Sequence, residues 1–220
     1  MTRLQRMIGI GTIALISTGA FSLPVAHGET GGTFQAGASH TIIKGYEKDA
    51  DVLGFRIEGS ENSITCENAS YNGTMSSEAE TIALSPSYEG CHTSGSESTL
   101  SIHTNKCQYT FKIGLFALFH NTFQIYCPYT ETIEITHPSC TIKIPEQTVE
   151  GVSYWTQSIN GVDAITLLAT IDTLIMRYEG GLCVLLGTTH YHSYLEGSAL
   201  LAGEDTEGEP VDLVAIGSLD

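Results

Sequence analysis

Six cysteines set into a chain that alternates apolar and polar residues constrain this sequence most. The stretch from Cys107 to Gln147 holds three of them and shows the alternation at its clearest. Successive side chains of a strand point to opposite faces, so a period of two marks a half-buried strand. Tyr109, Phe111 and Ile113 alternate, then Phe123, Ile125 and Cys127, then Ile133 and Ile135, then Ile142 and Ile144. Pro128, His137-Pro138-Ser139 and Pro145 fall where turns are needed. At least four strands with short connections follow, and short connections favour antiparallel pairing. The expected class is all-β, an antiparallel sandwich-like or barrel-like domain stapled by disulfides.

The run Cys127-Pro128, Thr132-Ile133-Glu134-Ile135 and Cys140 to Gln147, with the earlier Pro86 to Cys91 and Asn105-Lys106-Cys107, resembles an uncharacterised family of secreted bacterial proteins. These are cysteine-containing β proteins, mostly actinobacterial, and the resemblance covers residues 34–220. It implies secretion and a β fold. The family has no assigned activity, so the resemblance implies no catalytic residue.

The N-terminus reads as a secretory signal peptide over residues 1–28. Arg3 and Arg6 supply the positive start, Met7 to Phe21 the apolar middle, and Ala26-His27-Gly28 the small residues of a cleavage site. The apolar run is shorter than the roughly 20 residues a spanning helix needs, so no transmembrane span is expected after its removal. Taking 28 from 220 residues leaves 192, enough for one core. Residues 29–38, rich in Gly and Thr, read as a flexible leader, and residues 39–220 as a single compact all-β domain, with two similar β layers as one arrangement of it. Nine basic residues less Arg3 and Arg6 leaves seven against 25 acidic, a net charge of −18. Such a surface repels phosphate backbones, so nucleic acid is excluded as a partner.

An even cysteine count in an exported chain reads as three disulfides. The spacing lacks the close pairs of a zinc site. Pairing in sequence order, Cys66–Cys91, Cys107–Cys127 and Cys140–Cys183, is the expected one of 15 connectivities. Each would contribute roughly 3–4 kcal/mol by restricting the unfolded chain.

Further strands are expected at 53–57, 63–66, 80–84, 99–103 and 211–216. Asn72-Gly73 and Asn160-Gly161 carry hairpin-turn chemistry, and Glu89 to Gly95 reads as loop. Asp163 to Tyr178 fits one helical face through Ile165, Leu168, Ile171, Leu174 and Ile175. It also fits two strands through Ile165, Leu167, Ala169 and Ile171. The β-branched content decides for strands.

Candidate sites are sparse. His190 and His192 would share a strand face, with Glu196 or Asp172 as a third metal ligand, but two ligands do not define a site, so no metal and no other cofactor is expected. Glu204, Asp205, Glu207 and Glu209 lack an ordered calcium-ligand spacing and read as a solvated turn. No nucleophile elbow or zinc-protease motif occurs. Asp163 and Asp172 are the acids nearest the apolar C-terminal segment, the only hint of a carboxylate pair. Tyr154 and Trp155 are adjacent large aromatics, and the sole Trp is expected in the core. If Cys107 and Cys127 face each other across a hairpin, its turn contains Leu115, Phe116, Leu118 and Phe119, a candidate contact patch. Burial of the same four residues in a longer strand is the favoured alternative.

The functional expectation is a secreted, non-catalytic bacterial protein, partner-binding or structural. Its partner would be an extracellular protein or a cell-envelope component. The alternative is a secreted hydrolase acting on carbohydrate or peptide.

Overall fold

Alternation governs the folded chain from end to end. The computed structural model describes residues 31–47, 54–56, 63–93, 99–114, 121–137, 140–180 and 189–217, with 189–192 as backbone alone. Their strands are β1 (Thr33–Glu47), β2 (Gly54–Arg56), β3 (Ser63–Thr65), β4 (Asn68–Ala79), β5 (Thr81–Glu89), β6 (Cys91–Thr93), β7 (Thr99–His103), β8 (Gln108–Lys112), β9 (Thr122–Tyr126), β10 (Ile133–His137), β11 (Cys140–Ile144), β12 (Gln147–Glu150), β13 (Val152–Ile159), β14 (Val162–Glu179), β15 (Thr189–Glu204), β16 (Pro210–Val211) and β17 (Leu213–Ile216).

Nine of them, β12 and β13 counting as one, close an eight-stranded antiparallel barrel. From β1 the ladders run through β4, β5, β8 and β9 to β12, and from β13 through β14 and β15 back to β1. β12 and β13 act as one strand bent at Gly151. An eight-stranded barrel is just wide enough for side chains to fill, and here aromatic rings fill it. Tyr109 lies 4.9 Å from Phe123 by ring centroids, Phe111 5.3 Å from Phe123, and Phe34 5.6 Å from Tyr154. The cavity left among Tyr71, Tyr109, Phe123 and Leu201 is about 20 Å³, room for about one water.

The ladders close a second time. Beyond the barrel, β14 pairs with β11, and pairs β11–β10, β10–β7, β7–β6, β6–β3, β3–β2 and β2–β15 return to it. β14 and β15 belong to both circuits, and one continuous core serves both, with Phe55, Ile64, Ile135, Ile144 and Met176 in the second. On β4, β5, β8 and β9 the residues facing outward are mainly Ser, Thr, Asn and Gln. That polarity is the reverse of a membrane-spanning barrel, which is apolar outside.

Two disulfides sit on this lattice. Thr65 pairs with His92 and Asn68 with Glu89, so the same register sets Cys66 opposite Cys91, and the two are bonded. Gln108 pairs with Tyr126, which sets Cys107 opposite Cys127, also bonded. Cys140 is disulfide-bonded as well; its expected partner Cys183 lies outside the described residues.

Several expectations need correction. Residues 33–38, taken for leader, are part of β1: the fully buried Phe34 anchors them between β17 and β4. Cys91–Thr93, taken for loop, is β6. Asn72-Gly73 makes no turn but pairs with Ser85 and Leu84 inside β4. A Cβ on Gly73 would lie 2.4 Å from the Ala83 carbonyl oxygen, so that glycine serves close backbone approach. Asn160-Gly161 is a hairpin turn, with φ of 54° and 86°. The stretch 163–178 is extended, as the β-branched content argued, but as one 18-residue strand, β14, and not two.

Candidate functional site

The residues nominated from sequence are scattered. Asp163 and Asp172 both lie on β14, nine residues apart, about 30 Å along an extended strand. A carboxylate pair for glycoside hydrolysis needs a separation of roughly 5–9.5 Å, so these two do not form one. Glu196 faces Arg56 at 3.8 Å, and that guanidinium lies 4.5 Å from the centre of the Tyr194 ring. His190 and His192 are on β15, with side chains outside the described residues; among the described residues no three His, Cys, Asp or Glu cluster as a metal site. The acidic run Glu204 to Glu209 is the turn between β15 and β16. Asp205 Oδ1 accepts the backbone N–H of Glu207 at 2.8 Å and of Glu209 at 2.9 Å, and Glu204 pairs with Lys44 at 2.6 Å. Leu115, Phe116, Leu118 and Phe119 lie outside the described residues.

Trp155 is the informative correction. It is 42 % exposed, whereas Tyr154 is buried against Phe34 and Phe111. Neighbours on a strand face opposite ways. With Tyr154 turned into the barrel, Trp155 has to turn out.

The same outer face holds a cleft, made by three departures from regular pairing. The first is Gly151, at φ +109°, where β12 bends away from β13; a Cβ there would lie 2.4 Å from the Thr170 carbonyl oxygen. The second is a bulge in β14, where the register against β15 shifts between Ile171 and Leu174. The bulge turns two consecutive residues, Asp172 and Thr173, to the surface. The third is Gln147. Its side-chain amide donates to the Ile175 carbonyl at 3.1 Å and accepts the Ile175 N–H at 2.8 Å, standing in for a missing strand partner. Between Gly151 and Gln147 the two strands part. The opening is about 620 Å³, lined by Thr122, Thr148, Glu150, Thr170, Asp172 and Thr173 with Val149 and Gly151. Buried Asn121 braces its wall, accepting from the Gly114 N–H at 3.1 Å and donating to the Val152 carbonyl at 3.0 Å.

The chain matches no family model, no curated protein and no solved structure. The chemistry of this face therefore has to come from its own residues. Four threonine hydroxyls can each donate and accept, and the carboxylates of Glu150 and Asp172 accept only. Sequence reasoning named Asp172, for other roles, and missed Glu150 and the threonines. The signal that could have found them is weak: Gly151 at the join of two alternating runs, where a bend is cheapest.

Proposed function

We propose that the chain is a secreted, non-catalytic protein of the bacterial cell surface or extracellular space that binds a partner through the outer face of its barrel. One observation carries the reading. The barrel interior is taken up by its own aromatic side chains, while the 620 Å³ cleft, within the size range of ligand sites, opens on the outside. Paired cysteines and the signal-like residues 1–28 support export. A net charge of −16 over the whole chain argues against polyanionic partners.

Glu150 and Asp172 in one cleft favour a second reading, a secreted hydrolase of carbohydrate or peptide. One experiment separates the two. Purified protein lacking residues 1–28 is incubated with isolated bacterial cell envelopes, and both depletion and released reducing ends or amines are measured. Binding predicts saturable depletion with no product. Product release that disappears in Glu150→Gln or Asp172→Asn would establish the hydrolase instead, and absence of depletion would overturn the binding reading.

A further inference from the structure

The cleft does not stand alone on its face. On the outer side of the β13–β14 ladder Trp155 lies beside Thr166, which is itself fully covered, Ser153 beside Leu168, and Gly151 beside Thr170. Trp155 and Leu168 are both exposed, at 42 % and 40 %. From Trp155 to Gly151, at the cleft edge, is four residues, about 13 Å of extended strand. One exposed indole, with Leu168 near it, thus stands about 13 Å along the strand from a notch of hydroxyls and carboxylates.

We propose that this face binds an extended, uncharged polysaccharide chain, with Trp155 stacking on one sugar ring and the cleft hydrogen-bonding rings further along. The inference rests on the outer-face binding reading above and names its ligand class. Each half of the surface suits one half of a sugar. The face of an indole is apolar and flat, matching the C–H face of a pyranose ring. Hydroxyl pairs on the sugar edge need partners that both donate and accept, which Thr148, Thr170 and Thr173 supply, and strong acceptors, which Glu150 and Asp172 supply. Phosphate- or uronate-bearing polymers would meet two carboxylates on a strongly acidic protein. The offset of about 13 Å between indole and notch requires a chain; a single sugar reaches only one of them.

The test is affinity electrophoresis of the protein lacking residues 1–28 in native gels containing galactomannan, dextran, mixed-linkage β-glucan or arabinoxylan, with alginate as the anionic comparison. At least one neutral polymer should retard the wild type, and alginate should not. Trp155→Ala should weaken that retardation at least tenfold, Trp155→Phe should retain most of it, and Thr148→Val with Thr170→Val should weaken it as well. The threonine variants should keep the wild-type melting temperature, since those side chains lie at the surface, and Trp155→Ala, whose indole is 42 % exposed, should remain folded by circular dichroism at the assay temperature. A hexasaccharide of the retained polymer should compete at least tenfold better than the disaccharide. Retardation by none of the four polymers, or retardation indifferent to Trp155→Ala, overturns the glycan inference. If the protein still depletes onto cell envelopes in that case, the outer-face reading survives with a different ligand; if it does not, both fail.

Discussion

Single hydroxyls inside the barrel do opposite work. Tyr88 and Tyr109 share a buried hydrogen bond of 2.6 Å between their hydroxyls, with Tyr71 bonded to Tyr88. Tyr154 Oη is also buried, yet has no hydrogen-bond partner among the described residues. A buried polar group left unpaired costs about 1–3 kcal/mol, while removing one partner of a bonded pair strands the other. Tyr109→Phe should therefore destabilise the protein by about 1–2 kcal/mol, whereas Tyr154→Phe should be neutral or stabilising. Urea denaturation of the two variants checks the contrast; equal losses would contradict it. At this scale the sequence singled out the adjacent Tyr154 and Trp155 and placed the Trp in the core; as neighbours on β13 they face opposite ways, and it is Tyr154 that turns in. Which one faced inward depended on the rings already in the barrel, Phe34 and Phe111, which reach it from β1 and β8.

Elements were more legible than residues. The alternating runs became strands at nearly every expected place, and the contest over 163–178 ended in a strand because β13 and β15 flank it on both sides. The failures share a cause. Asn72-Gly73 carries turn chemistry locally, but the β4–β5 ladder runs through it and uses the glycine for clearance. Residues 33–38 look too small and polar for structure, but one buried ring, Phe34, holds them. The bulge at Asp172-Thr173 has no local signature, since it reflects a register set by a strand some 20 residues later. The Cys66–Cys91 and Cys107–Cys127 bonds belong to this scale too, because each joins residues set opposite each other by the antiparallel register of their neighbours. Replacing Cys66 and Cys91 together by alanine should cost about 3–4 kcal/mol by releasing a 25-residue loop in the unfolded chain. A midpoint shift in urea with an altered slope would report that change in the unfolded state.

The whole molecule concentrates ionisable phenols where they cannot ionise. Burial pushes Tyr71, Tyr88, Tyr109 and Tyr154 well above the usual tyrosine range, and Tyr178 up to about 12. A folded-state value above the unfolded one stabilises the fold while the group stays protonated in both states. That contribution is complete below the unfolded value near 10 and is lost as pH rises from there toward the folded values. Stability should accordingly be insensitive to these groups up to about pH 9 and fall steeply above pH 10. The buried phenols should ionise together with unfolding, giving one cooperative step in tyrosinate absorbance. A purely gradual titration with the fold intact would contradict the buried placement.

What the sequence determined by itself is the local part of this protein: extended segments, the apolar face of most of them, and cysteines placed to be paired. These follow from alternation and turn chemistry, which act over a few residues. The tertiary structure alone decided that the strands close into a barrel and share β14 and β15 with a second circuit, where the sequence left sandwich and barrel both open. It also decided that the strands part beside Gly151 to leave a cleft, about 13 Å of extended strand from Trp155. Closure and parting depend on which distant strands meet and in what register, and that is settled by how the rings of Phe34, Tyr109, Phe111, Phe123 and Tyr154 pack together in the barrel, a constraint that no short stretch of the chain carries.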